Sequence, residues 1–233
     1  MDIRLASYNL HKCQGTDRRR DPGRVIDVLN SVEADVLALQ EVDHRLGNRP
    51  EALPRRMIED NTDFEAVDLA LSPASLGWHG QTLLLRKGAE LLSADRLHLP
   101  GLEPRGAVLA ELTLPETGPL RVVGVHLGLI RRYRLKQLRA IRAALERRAP
   151  MQTVILGDFN EWSTDRGLEP LHDLFEVHAP GRSYHASRPV AALDRLALGQ
   201  GVELRDAGVV ETQLSRLASD HLPVWADVAL NEN

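Results

Sequence analysis

The sequence predicts an α/β fold in which two packed β-sheets carry helices on their outer faces. Many short, apolar, β-rich runs are separated by Gly and Pro punctuation. Helical patterns follow the first strand, the second strand and the strand that delivers His126. So many short strands fit two packed sheets better than one open sheet. At 233 residues there is room for a substantial core. No linker-like composition, low-complexity tract or fixed-period repeat divides the chain, so residues 1–233 read as one domain.

The elements follow in order. Ile3–Tyr8 alternates like a strand and delivers Asn9 and His11. After a polar loop over 14–20, Asp21-Pro22 supplies an N-cap and a first-turn proline. Val25, Ile26, Leu29 and Val32 then keep helical spacing. Asp35–Val42 is nearly continuously apolar, as expected of a strand buried on both faces, and carries Gln40-Glu41. A short helix is expected over 53–59 and strands over 64–71, 81–86, 90–97, 107–114 and 120–125, the last ending at His126. The clearest helix spans 130–148, with Leu135, Leu138, Ile141 and Leu145 on one stripe. Its arginine-rich opposite face reads as a solvated surface in preference to a nucleic-acid or lipid contact. A strand over 153–160, a helix over 164–175 and strands over 193–198, 203–210 and 223–230 complete the chain.

Hydrophobic content of 43% and charged content of 27% are those of an ordinary globular protein. A net charge of −4 argues against nucleic-acid binding through overall charge, and 4% aromatics gives little support to base-stacking platforms. Cys13 is the only cysteine, which excludes an internal disulfide and a Cys-based zinc site. The strand-like N-terminus lacks a basic leader with an apolar core, and no apolar segment is long enough to span a bilayer. A soluble cytoplasmic protein is the expectation.

The chemistry concentrates at strand ends. Gly157-Asp158-Phe159-Asn160 closes a strand with a carboxylate and an amide on one face; alone, it reads equally well as an Asp-Asn turn. Asn9, Glu41, His126, Asp194 and Asp220-His221 occupy other strand ends. Glu41, Asp158 and Asp220 offer hard oxygen ligands, with Asn9 and Asn160 adding amide oxygens. That set suits magnesium or manganese better than zinc. His126 and His221 add nitrogen donors, and no activated Ser or Cys accompanies them. The combination points to hydrolysis by water at phosphorus.

These motifs resemble the endonuclease/exonuclease/phosphatase superfamily, which includes deoxyribonuclease I, neutral sphingomyelinases and inositol polyphosphate phosphatases. The anchors are Ser7-Tyr8-Asn9, Gln40-Glu41, Val125-His126-Leu127, Gly157-Asp158-Phe159-Asn160, Leu193-Asp194-Arg195 and Ser219-Asp220-His221-Leu222-Pro223-Val224, in that order and nearly end to end. Asn9-Leu10-His11, Arg105-Gly106-Ala107 and His126-Leu127-Gly128-Leu129 are similar to a bacterial branch near sphingomyelinase-like members. The resemblance implies a four-layer α/β sandwich, with Glu41 as the main magnesium ligand and Asn9 and Asp220 beside the metal. It implies that Asp158 orients or deprotonates the attacking water and Asn160 holds the scissile phosphate. His221 becomes the catalytic histidine, kept cationic by Asp194, and His126 a donor to a phosphate oxygen. His11, Arg105 and Gln81 are further phosphate-side candidates. The chain departs from the family pattern at His11, where some nuclease members carry an acidic residue, which leaves a second metal position open, and at Gly80-Gln81 and Ser183-Tyr184-His185, both in substrate-facing loops.

The expected activity is therefore magnesium-dependent phosphodiester hydrolysis, with manganese as a substitute and a lipid head group or small diester favoured as substrate. Nuclease action is the alternative, and a binding module without chemistry is a third reading. Nucleic acid and a membrane surface stay open as partners. Trp78 and Trp162 are rim candidates, although core positions suit both better.

Overall fold

The computed structural model describes residues 2–164 and 166–231. One sheet is built from β1 (Asp2–Asn9), β2 (Val36–Gln40), β3 (Phe64–Ala66), β4 (Gln81–Arg86), β11 (Val202–Val209) and β12 (Val224–Leu230), in the order β11-β12-β1-β2-β4-β3. The other contains β5 (Glu90–His98), β6 (Gly106–Thr113), β7 (Pro119–His126), β8 (Gln152–Asp158), β9 (Phe175–His178) and β10 (Asp194–Gly199), in the order β5-β6-β7-β8-β10-β9. Each sheet has a parallel pair at its centre, β1/β2 in one and β7/β8 in the other, with antiparallel neighbours outside.

Alternate residues of these strands face each other between the sheets. Leu5, Val36 and Leu83 meet Val108, Val122, Leu156 and Leu196 in one apolar layer. The other face of the first sheet lies under α1 (Pro22–Val32), α2 (Arg55–Asn61) and α4 (Gln213–Ala218), and that of the second under α3 (Arg131–Glu146). The result is the expected sandwich of helices, sheet, sheet and helix. Strands buried on both faces explain the nearly unbroken apolar run of β2. Asp21 caps α1 by accepting from the Arg24 amide at 3.0 Å, as its Asp-Pro start predicts. Among the described residues no helix is long and apolar enough to cross a membrane.

Three elements differ from expectation. The strand expected over 64–71 ends at Ala66; Val67 makes one further bond to Leu83, after which Val67 and Leu69 pack inward without a ladder. Alternation therefore marked burial and not pairing. The helix expected over 164–175 does not form. Residues 169–174 make turns, with Pro170 denying a helical amide and Gly167 at φ 93, and Phe175–His178 pairs with β10 instead; Asp165 lies outside the described residues. Helix α4 is too short for periodicity to reveal, yet Thr212 and Ser215 form a reciprocal capping box.

Candidate active site

The strand ends that carry polar residues lie along one edge of the sandwich. Parallel β1/β2 and β7/β8 present their carboxyl ends there, and antiparallel β12 and β10 begin there. Register sets His126 beside Asp158 and Asp158 beside Asp194. Asn9 Nδ2 donates to Asp158 Oδ2 at 3.1 Å, which joins the two sheets at this edge. Close approach of β8 to β7 requires Gly157: its φ is 147°, and a Cβ would stand 2.0 Å from the Val125 carbonyl oxygen.

Asp158 is the hub. Its Oδ1 accepts from the Asn160 amide at 2.9 Å, while Oδ2 lies 3.4 Å from His126 Nε2 and 3.8 Å from His221 Nε2. Burial pushes this carboxyl up to about 6, against the pull of the His221 imidazolium. His221 Nδ1 is 2.7 Å from Asp194 Oδ2, which also accepts from Ser183 Oγ at 2.5 Å. Burial disfavours the cation at His221, but Asp194 and then Asp158 outweigh it and raise this imidazole to about 10. His126 is the opposite case: burial, then Arg105 and His221, hold it well below its ordinary range. Arg105 Nη1 donates to His126 Nδ1 at 2.9 Å, so the neutral ring carries its proton on Nε2, facing Asp158. Asn160, at φ 51°, spends one amide hydrogen on the Leu127 carbonyl at 2.9 Å and keeps the second.

Glu41 forms a second centre. Lys12 Nζ contacts one carboxylate oxygen, and Arg45 Nη2 donates to the other at 3.1 Å. Burial works against ionisation there, yet Lys12 and Arg45 bring this carboxyl below its ordinary range. His11 places its amide on Asn9 Oδ1 at 3.1 Å, and its ring sits 3.8 Å from Asp220 Oδ1. Among the described residues no group of three or more His, Cys, Asp or Glu side chains is arranged to hold a metal ion by itself. The donors nonetheless suit a hard cation such as magnesium, which takes one or two carboxylates and fills its other positions with water and substrate oxygens. Glu41 already draws two cationic side chains, so positive charge is stabilised beside it. The arrangement thus fits a divalent ion.

Gln81 is placed differently from its phosphate-side expectation. It is buried, and its Nε2 donates to the Gly106 carbonyl at 2.6 Å, so it braces the turn that carries Arg105. The Trp78 ring lies against Gly106, where a Cβ would meet it at 2.1 Å. Trp78 is core as expected; Trp162, read as core, is 63% exposed. Asp194 binds His221 and not its chain neighbour Arg195, whose Nη2 donates to the Glu161 and Ser163 carbonyls.

A model of the Endonuclease/Exonuclease/phosphatase family matches residues 6–221. The chain belongs to that family. Its members are generally hydrolases of phosphoester bonds, typically dependent on a divalent metal. No curated protein matches the sequence. An endonuclease/exonuclease/phosphatase from Bacteroides vulgatus is similar at 20% identity and TM-score 0.78, over 99% of this chain and 100% of that one. D. rerio TDP2 complexed with a single-strand DNA product gives 16% and 0.76, over 98% and 99%. The Bacteroides thetaiotaomicron mannosyl-6-phosphatase gives 14% and 0.72, over 98% and 100%. At these identities the likeness is one of fold.

Several site neighbours escaped the sequence reading. Lys12 and Arg45 on Glu41 lie in loops with no periodic pattern. Ser183 falls in the Ser183-Tyr184-His185 segment that departs from the family pattern, and that departure was the available signal. Tyr184 packs on His221, with ring centroids 5.0 Å apart. Glu161, next to Asn160, is buried and clamped by Arg131 and Arg134. Part of the basic face of α3 is therefore structural, while Arg132, Lys136 and Arg139 are exposed.

Proposed function

We propose that the protein is a magnesium-dependent phosphodiesterase. The observation that carries this reading is the convergence of Asn9, His126 and His221 on Asp158 at the edge shared by both sheets. A divalent ion held by Glu41, with Asn9 and Asp220 nearby, would supply charge neutralisation at the phosphate; manganese would substitute. Asp158, with its raised affinity for protons, accepts a proton from the attacking water. His221, kept cationic by Asp194, offsets the charge added as the water oxygen bonds to phosphorus. His126 donates through Nε2–H to a phosphate oxygen, with Arg105 fixing its tautomer. Asn160 orients the phosphate with its second amide hydrogen.

A lipid head group or small diester is favoured as substrate by an apolar rim. Leu102, Leu129, Ile130 and Trp162 are exposed. Their chain neighbours reach the site: Leu129 N bonds Glu103, which follows Leu102 and pairs with Arg105; Arg131, after Ile130, bonds Glu161; and Trp162 packs edge-on to Tyr184 beside His221. Nuclease action remains the second reading, supported by the fold neighbour seen with single-strand DNA. The test is hydrolysis of bis(4-nitrophenyl) phosphate, expected to vanish with chelator and to return with magnesium or manganese. No turnover of any phosphodiester or monoester with either metal sinks the proposal. Plasmid nicking measured against phospholipid head-group release separates the two substrates.

A further inference from the structure

We infer that the substrate carries a second anionic group, a phosphate close to the scissile one, and that Arg49, His79 and Arg105 receive it. This rests on the phosphodiesterase reading above and names its substrate class. Beside His126, on the side away from Asp158, lies a cavity of about 140 Å³, lined by Arg45, Arg49, His79 and Arg105 among others. It is small against the roughly 300–1,000 Å³ of pockets for whole drug-sized ligands. A single tetrahedral anion suits it better than a ring system.

The charge of the lining is uneven in a way that matters. Four permanent cations, Lys12, Arg45, Arg49 and Arg105, face three carboxylates, Glu41, Asp43 and Glu103, on a chain of net charge −4. Each carboxylate is already engaged. Glu41 holds Lys12 and Arg45, Glu103 holds Arg105 and the Leu129 amide, and Asp43 accepts from the Leu76 and Gly77 amides at 2.7 and 3.2 Å. Of the four, Arg49 alone is bonded to no carboxylate among the described residues, although its charge is felt at Asp43. Its Nη1 donates to His79 Nδ1 at 3.0 Å and its remaining donors are uncommitted. Because His79 Nδ1 accepts, that ring carries its proton on Nε2, which makes it a second neutral donor. The pair is held in place: Arg49 by Ser75 Oγ, which donates to its carbonyl at 2.7 Å, and His79 by Trp78, whose ring centroid is 4.3 Å away. Arg105 spans both regions, since the same guanidinium that lines this cavity fixes the catalytic-side tautomer of His126. A forked guanidinium with free donors is the side chain best matched to a phosphate.

The test is calorimetry on the full chain with two probes, methylphosphonate and methylenediphosphonate, in chelator so that no shared metal can hold them. Wild type is expected to bind the diphosphonate at least about tenfold tighter. Arg49→Met should reduce that advantage to about twofold, and Arg49→Lys should restore part of it; unchanged melting curves will show that the variants are folded. Equal affinities in wild type, or an advantage that survives Arg49→Met, overturns the subsite even if diesters are hydrolysed. An Arg49-dependent advantage in a protein that hydrolyses no diester keeps the anion site and removes the enzymatic reading on which its role rests.

Discussion

Asp158 and Glu161 stand three residues apart at the end of β8, and each is only 1% exposed. Their surroundings differ in one respect. Glu161 accepts from Arg131 Nε and Nη2 at 2.9 and 2.6 Å, from Arg134 Nη2 at 2.7 Å and from the Ser163 amide at 2.9 Å. Burial opposes its charge, but the arginines bring this carboxyl down to about 2. Asp158 receives two amides and faces two imidazoles, with no Arg or Lys bonded to it, and burial lifts it to about 6. A buried carboxylate matched by permanent cations is a fixed strut. One left among titratable groups keeps a usable affinity for protons.

The sharpest way to break this contrast is Asp158→Asn. Turnover of a phosphodiester should fall by about 10³, roughly 4 kcal/mol of barrier, because the proton acceptor is gone. Stability should move the other way. A carboxyl raised from 3.8 to about 6 on folding favours the folded state when protonated, and that contribution is lost as pH rises through about 6. The variant should therefore melt higher than wild type at pH 8, and the gap should close between pH 6 and pH 4. A variant that melts lower at pH 8 means that Asp158 is a strut like Glu161.

Glu161→Gln is the converse. It leaves buried Arg134 without its partner, and about 3 kcal/mol of stability should be lost at pH 7, read by urea unfolding. The lowered carboxyl keeps the wild-type contribution whole above its ordinary value of 4.5, and the contribution is lost as pH falls from there through about 2. Turnover should drop less than tenfold, through small shifts of Asn160. Loss of turnover comparable to that of Asp158→Asn would place Glu161 in the chemistry.

Next in size is Asp194→Asn, expected to lower kcat/KM about 10²-fold at pH 8. In wild type the profile should be bell-shaped, with limbs near 6 and 10 that belong to the coupled Asp158–His221 pair. Without Asp194, the leading source of the raised His221 value, the alkaline limb should move down by a unit or more.

Much of this contrast was legible before the fold was known, though not all of it. Period-two and continuous apolar runs marked nearly every strand, and their ends named Asn9, Glu41, His126, Asp158, Asp194 and His221. What sequence could not supply was pairing across the sandwich. Asp194 sits next to Arg195 in the chain, yet it bonds His221, 27 residues away, because β10 enters beside β8 in antiparallel register. Lys12 reaches Glu41 from a loop turn with positive φ at three successive residues, which no periodicity encodes. Glu161 carried no signal in the sequence, because its partners Arg131 and Arg134 lie far away in the chain on α3. Trp162 was misplaced because an aromatic near a motif carries no sign of which way its loop turns.

The smallest effect worth measuring is Ser183→Ala. The buried hydroxyl donates to Asp194 Oδ2, the same oxygen that holds His221, so it steadies the acid and does not touch the imidazole. Its loss should cost about 1 kcal/mol, read as roughly fivefold in kcat/KM, and Ser183→Thr should recover most of it because the donor is restored. The direction of the alkaline limb is the informative part. Removing a donor leaves the Asp194 charge less satisfied and a stronger acceptor for His221, so the limb should hold or rise. In Asp194→Asn the same limb falls. Opposite movements would place Ser183 behind the acid, in a fixed role akin to that of Arg134 behind Glu161. A fall in both variants would mean that the hydroxyl positions His221 itself, and that the titrating side of the site extends one residue deeper than the contrast between Asp158 and Glu161 draws it.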